Sequence, residues 1–82
     1  MKNELVYYAV YQEHTLGYLF RGERGLYYLG ILHANVLRGS TFNWLSGPVL
    51  VDLKEIRKAT EQDFDDYRVL VPPDFAKLNR NQ

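Results

Sequence analysis

ELVYYAVYQEHTLGYLFRGERG, residues 4–25, is the stretch that decides the fold. Residues 4–12 carry apolar side chains on both faces of an extended chain, which predicts a central strand or one covered on both sides. The polar residues 12–15 predict a turn, and residues 16–20 predict a second strand. The segment RGERG at 21–25 holds two glycines and three charged residues, which is typical of another tight turn. Together these pieces predict an antiparallel meander.

Residues 26–37, LYYLGILHANVL, are compatible with a strand or with a helix. The spacing of Leu26, Leu29 and Val36 fits a helix that Gly39 would end. Such a helix would be apolar nearly all round, and a small domain has little room to bury it. The glycine turn before this segment also favours a hairpin partner. We therefore favour a third strand and keep the helix as the alternative.

A short helix is predicted to begin after Thr60. The Thr60 side chain can cap it, and Asp63 stands three residues on, which gives a capping box with Asp in place of the usual Glu. Phe64 and Tyr67 are three residues apart and share the inward face. The helix is predicted to be short because an extended segment and two prolines follow it.

The remaining segments complete a single domain over residues 1–82. Residues 49–53 and 69–71 are predicted to be strands, and residues 79–82 a loose C-terminal tail. The predicted fold class is mainly β with one short helix (α+β). Its sheet is expected to be small, antiparallel and strongly twisted, with four to five strands, in an SH3-like or similar partly open barrel.

Charge and composition exclude several functions. Ten acidic and ten basic residues cancel, so no net field attracts nucleic acid or an anionic membrane. The absence of cysteine excludes disulfides, thiolate catalysis and cysteine-ligated metals. The N-terminal residues do not resemble a signal peptide, and no apolar run approaches the roughly 18 residues that span a bilayer. We expect a soluble, cytoplasmic protein.

One group of candidate binding residues lies in LHANVLRGSTFNW, residues 32–44. On a strand, His33 and Asn35 point to the same face, and Arg38 lies near them if the chain bends at Gly39. Such a cluster could bind an anion or a carbonyl group. The alternative is a sheet rim that approaches a loop, with Trp44 filling the core. The neighbouring sequence supplies no carboxylate to activate His33, so no catalytic residue is predicted.

A second candidate group is the acidic helix, with the carboxylates Glu61, Asp63, Asp65 and Asp66. This run does not match a calcium-binding loop, because Arg68 stands where the loop needs glycine. A solvated helix face is the simplest interpretation. The alternative is a face that docks on a basic partner.

The third group is a set of tyrosines, which is unusually large for so short a chain. Tyrosine brings contact area at low entropic cost and is enriched at interfaces, so self-association to a homodimer is predicted. Nucleic acid is possible but disfavoured, since the strands themselves carry few basic groups. That alternative requires Arg21, Arg24, Arg38 and Arg57 to converge beside exposed tyrosines. The tyrosines assigned to self-association are Tyr7, Tyr8, Tyr18, Tyr27 and Tyr28.

The function predicted first is a small non-enzymatic interaction module that self-associates or binds a protein partner through its tyrosine-rich sheet or acidic helix. An accessory protein of a mobile element is one context for it. The alternatives are a nucleic-acid-binding small barrel, and a small-ligand site or enzyme around His33, Asn35, Arg38 and Trp44. The standard catalytic and nucleotide-binding motifs are missing from the sequence, and we expect neither a metal nor another cofactor.

Overall fold

A computed structural model describes residues 4–41 and 48–80 of the protein. Within these ranges, five antiparallel strands form one sheet in the order β4-β3-β2-β1-β5. The strands are β1 (Glu4–Tyr11), β2 (Thr15–Arg21), β3 (Tyr27–Ala34), β4 (Val49–Leu50) and β5 (Ile56–Lys58). The other elements are a helix α1 (Glu61–Asp66), 3-10 turns at Glu23–Gly25, Val36–Arg38 and Leu53–Glu55, and a π-helical turn at Ala76–Arg80.

The sheet is not closed, since β4 and β5 form its two edges in the described part of the chain. This confirms the predicted fold class, a mainly β protein with a partly open antiparallel sheet and one short helix. The meander of β1, β2 and β3 is also confirmed, and the ambiguous residues 26–37 supply a strand rather than a helix. Gln12 and Glu13 make the first turn with left-handed backbone conformations.

The second half of the chain differs from the prediction in its strands. β4 is only two residues long, because the side chain of Asp52 accepts a hydrogen bond from the Lys54 N–H at 2.9 Å and starts a 3-10 turn. Residues 69–71 do not form a strand. Val69 packs against the core, whereas Leu70 is 92% exposed. The edge beside β1 is occupied instead by β5, which sequence analysis missed.

Each face of the sheet has its own core. The inner face is the one that carries Ala9, Leu19 and Leu29, and Val51 from the link between β4 and β5 packs against it. The outer face is the one that contacts α1 and the C-terminal segment. Its core is the cluster Tyr8, Val10, Leu16, Ala59, Phe64, Tyr67 and Phe75.

Close approach of two strands explains the glycine in β2. A Cβ added at Gly17 would collide with the backbone oxygen of Gly30 and with the side chain of Leu29. The pairing register between β2 and β3 also shifts between Leu16 and Gly17. Only glycine lets the two strands pack this tightly.

The capping box of α1 is confirmed. The Thr60 side chain accepts a hydrogen bond from the Asp63 N–H, and the Asp63 carboxylate accepts one from the Thr60 N–H at 2.7 Å. Phe64 is fully buried and Tyr67 is 4% exposed, so the inward face of the helix is also as predicted. The helix therefore packs against one half of the outer face.

The C-terminal segment stays bound to the sheet closer to its end than the sequence predicted. Asn79, which was assigned to a loose tail, accepts a hydrogen bond from the Tyr8 N–H at 3.0 Å. Its amide group donates to the backbone oxygens of Tyr8 and Ala59, both at 2.9 Å. Its side chain thus bridges β1 and the end of β5, because both backbones turn polar groups toward it. Residues 81 and 82 lie outside the described ranges.

Candidate interaction surface

α1 and the C-terminal segment cover only one half of the outer face. The uncovered half begins at a bulge in β1, where Leu5 pairs with Phe20 but Tyr7 pairs with Leu19. The extra residue between Leu5 and Tyr7 shifts the alternation of side chains along the strand. As a result Leu5 lies on the outer face, the same face as Tyr8.

A continuous apolar row crosses this uncovered half over four strands. Leu5 on β1 pairs with Phe20 on β2, Phe20 pairs with Tyr28 on β3, and Tyr28 pairs with Leu50 on β4. Directly paired side chains lie on the same face and contact each other. Leu5 is 38% exposed and Leu50 is 59% exposed, so the row reaches solvent at both ends.

Aromatic stacking extends the row into a surface. The ring centroids of Tyr18 and Phe20 are 6.0 Å apart, and those of Phe20 and Tyr28 are 5.7 Å apart, with interplanar angles of 26° and 21°. Pro48 lines shallow clefts together with these rings. We call this set the aromatic surface; its residues are Leu5, Tyr18, Phe20, Tyr28, Pro48 and Leu50.

Charged residues of both signs lie at one end of the aromatic surface. Glu4 and Arg21 form an exposed ion pair at 2.6 Å next to the pair of Leu5 and Phe20 in the strands, but their side chains point to the inner face, where Arg21 pairs with Tyr27. Glu23 and Arg24 line the cleft that Phe20 and Tyr28 also line. On the outer face the rim therefore carries one acid and one base, Glu23 and Arg24, and has no net charge.

The predicted tyrosines divide between three environments. Tyr18 and Tyr28 belong to the aromatic surface, as the self-association prediction requires. Tyr7 and Tyr27 pack against the core of the inner face. Tyr8 is 7% exposed and donates a hydrogen bond to Asp74 at 2.7 Å, so its assignment to a self-association surface was wrong. Burial and this bond raise the pKa of Tyr8 to about 12.

Four members of the aromatic surface were not predicted: Leu5, Phe20, Pro48 and Leu50. Leu5, Phe20 and Leu50 were assigned to strands without a functional role. The alternation of β2 contains the signal for Phe20, because Tyr18 and Phe20 are two residues apart. Leu5 gives no such signal, since its face depends on the bulge.

A second notable site is an ionic cluster around Arg57 at the opposite end of β1 and β2. Its guanidinium group donates to Glu13 at 2.7 and 3.0 Å and to Asp63 at 2.7 and 2.8 Å. Hydrogen bonds from Arg57 lower the pKa of Asp63 even though burial opposes the shift, and they lower the pKa of Glu13. The cluster ties the first turn to the start of α1.

This cluster changes the assignment of the acidic helix. Asp63 is 6% exposed and is bound to Arg57 and Thr60, so its place on a partner-facing surface was wrong. Glu61, Asp65 and Asp66 are exposed, as a partner-facing or solvated helix face requires. Binding of a basic partner by these three residues stays a prediction.

The structure brings together only part of the candidate group of His33, Asn35, Arg38 and Trp44. The His33 ring meets the Tyr67 ring edge-on at 5.9 Å, and the Arg38 guanidinium lies 5.8 Å from the centre of the same ring. The side chain of Asn35 instead accepts a hydrogen bond from the Leu37 N–H and caps the 3-10 turn. Trp44 lies outside the described residues. Tyr67 is the member that sequence analysis did not include.

The four arginines named for nucleic-acid binding do not converge on one face. Arg57 is held by two carboxylates, and Arg38 lies over the Tyr67 ring. Both are at the end of the sheet where β2 begins, whereas Arg21 is the last residue of β2 and Arg24 lies in the following turn. The prediction of convergence was wrong, because the strand topology places the arginines at opposite ends of the sheet.

Residues 4–41 and 48–80 contain neither a metal-ligand cluster nor a membrane-spanning helix. No group of three or more His, Cys, Asp or Glu side chains in these ranges is arranged to hold a metal ion. Among the same residues, no helix is long and apolar enough to cross a membrane.

Comparison with protein-family models, with curated proteins and with solved structures finds no match to the chain. The arguments about function therefore rest on the geometry of this protein.

Proposed function

We propose that the protein is a non-enzymatic interaction module that binds a second copy of itself through the aromatic surface. The observation that carries the proposal is the apolar row Leu5, Phe20, Tyr28 and Leu50, which crosses four strands and is left uncovered by α1. Contiguous exposed apolar patches on small domains are typical of binding sites. Stacked aromatic rings give such a patch rigid contact area.

The rim charges favour a second copy over a charged partner. In a two-fold symmetric contact the same patch meets itself, so each group on one copy faces a group on the other. A rim with Glu23 and Arg24 can place the acid of one copy against the base of the other in such a contact. A nucleic acid would need an excess of basic groups, which this rim does not have.

The size of the surface sets the expected strength. Four strands spaced about 4.8 Å apart, with their side chains, give a patch roughly 20 Å wide and, along the strands, about 15 Å long. That is well below the ~800 Å² per partner of a standard interface. We therefore expect a weak, reversible dimer with a dissociation constant in the micromolar range or above.

Sedimentation velocity over a wide range of protein concentration tests the proposal, with Leu50→Lys as the disrupting variant. Leu50 is 59% exposed, so the substitution removes little packing within one copy. The matched control is Leu70→Lys, which changes an even more exposed leucine away from the aromatic surface. We expect a dimer for the unchanged protein and for Leu70→Lys, and at least tenfold weaker association for Leu50→Lys.

High salt should leave the dimer largely intact, since its centre is apolar. A protein that stays monomeric at millimolar concentration would contradict the proposal. Equal association of the two lysine variants would also contradict it, because the contact would then lie elsewhere.

A further inference from the structure

The hydroxyl group of Tyr67 is buried and has no hydrogen-bond partner among the residues that the structure describes. The side chain belongs to the core of the outer face, and the residue is only 4% exposed. Buried polar groups in native proteins almost always have a partner, so an orphan group indicates either strain or a missing ligand atom. Tyr67 is on the half of the outer face that α1 covers, away from the aromatic surface.

Two exposed side chains with nitrogen donors, those of His33 and Arg38, converge on this tyrosine. The bulge between β2 and β3 pairs His33 with Leu16, which places the imidazole on the outer face beside the Tyr67 ring. Arg38 reaches the same ring from the 3-10 turn that Asn35 caps. The two side chains come from different elements and meet only around Tyr67.

Arg38 has much unused capacity to donate hydrogen bonds. Within residues 4–41 and 48–80 it donates one long hydrogen bond, 3.5 Å from a guanidinium nitrogen to the backbone oxygen of Glu13. The group lies so near the Tyr67 hydroxyl that its positive charge and a side-chain contact too loose to count as a hydrogen bond both oppose the burial that raises the pKa of the tyrosine. A guanidinium group has five N–H donors, and its fork geometry suits a carboxylate or phosphate group.

The nearby acids do not fill this role. Glu13 and Asp63 both approach Tyr67, but each is bound by two hydrogen bonds to Arg57. The Glu13–Arg57–Asp63 cluster has one net negative charge, which Arg38 balances. The region around Tyr67 therefore does not strongly repel an incoming anion.

We propose that Tyr67, Arg38 and His33 form a binding site for a single oxyanion, the carboxylate or phosphate group of a small ligand. The Tyr67 hydroxyl donates one hydrogen bond to it, Arg38 donates two from its fork, and the outward edge of His33 donates a further one. Arg38 is exposed and can swing aside to admit the anion. The site is independent of the aromatic surface and goes beyond the proposed self-association.

Titration of the ¹⁵N-labelled protein with inorganic phosphate, and separately with acetate, tests the site at constant pH and ionic strength. We expect saturable shifts of the amide signals of residues 33–38 in at least one series, with a millimolar dissociation constant. Tighter binding of phosphate identifies a phosphate group as the preferred ligand, and tighter binding of acetate identifies a carboxylate.

Two variants of the site and one control variant distinguish binding at this site from a general effect of the protein's charge on the anion. Tyr67→Phe removes a hydroxyl that has no partner, so the fold should persist, and we expect at least threefold weaker binding. Arg38→Gln should weaken binding more, whereas Arg24→Gln, which removes an exposed arginine at the other end of the sheet, should not change it. The absence of saturable shifts in both series, or unchanged binding by Tyr67→Phe, would overturn the proposal.

Discussion

The ring of Tyr18 lies directly over Gly30 on the neighbouring strand, in the space that a Cβ at position 30 would occupy. Glycine in a strand leaves a gap above the backbone, and an aromatic ring on the adjacent strand can fill it. The gap holds Tyr18 beside Phe20, at one end of the stacked rings. The position of the Tyr18 ring in the aromatic surface therefore depends on a residue with no side chain.

Gly30→Ala should destabilise the protein by about 1–3 kcal/mol, because the new methyl group displaces the Tyr18 ring or strains the strand. Urea unfolding measures the change. In a Tyr18→Ala background the same substitution should cost much less, since the ring that it meets is gone. Equal costs in the two backgrounds would show that Tyr18 does not occupy this space.

Arg57 should contribute far more to stability than Arg21, although both form ion pairs. Arg57→Gln leaves the buried Asp63 carboxylate without its main partner, and we expect a loss of about 1–3 kcal/mol in the free energy of unfolding. Arg21→Gln breaks an exposed pair with Glu4 and should change stability little. Equal effects in thermal or urea unfolding would contradict the role given to the ionic cluster.

The same cluster should make the protein sensitive to acid. Arg57 lowers the pKa of Asp63 and Glu13 in the folded state, so the stability that their ionised forms confer is complete above their unfolded values. It is lost progressively as the pH falls below the unfolded pKa values and through the lower folded ones. Urea unfolding at a series of pH values should give a shallower acid slope for Asp63→Asn. A slope parallel to that of the unchanged protein would disprove the linkage.

Asn79 should stabilise the fold although it is close to the C-terminus. Asn79→Ala removes three hydrogen bonds to backbone groups of Tyr8 and Ala59, and we expect a loss of about 1–3 kcal/mol. Asn35→Ala is the matched control, since the Asn35 side chain caps an exposed turn with one such bond. A larger effect of the control would mean that the C-terminal segment does not hold β1.

Local signals in the sequence were sufficient to predict much of the fold. The capping box of Thr60 and Asp63 depends on residues three apart, and the glycine turn at 21–25 fixes the hairpin of β2 and β3. β5 could not be found in this way, because Ile56–Lys58 holds one apolar residue and its pairing with β1 spans a long stretch of chain. Val69 to Val71 had the better strand pattern, but β5 occupies the edge beside β1.

The candidate sites were less predictable because they depend on bulges and on distant contacts. Strict alternation along β1 would place Leu5 on the face of Tyr7, and the bulge moves it to the face of Tyr8. In the sequence Asp63 is one member of an acidic run. Only the fold shows that Arg57, from another element, binds it. Tyr67 was correctly assigned to the core, but its contact with His33 and Arg38 requires the fold.

Intermolecular nuclear Overhauser effects in a mixture of isotope-labelled and unlabelled protein would test self-association most directly. We predict contacts between the two copies at the rings of Phe20 and Tyr28 and the methyl groups of Leu5 and Leu50, with none at Leu70. Intermolecular contacts that map instead to α1 or to the C-terminal segment would contradict the account. So would a complete absence of contacts at millimolar concentration.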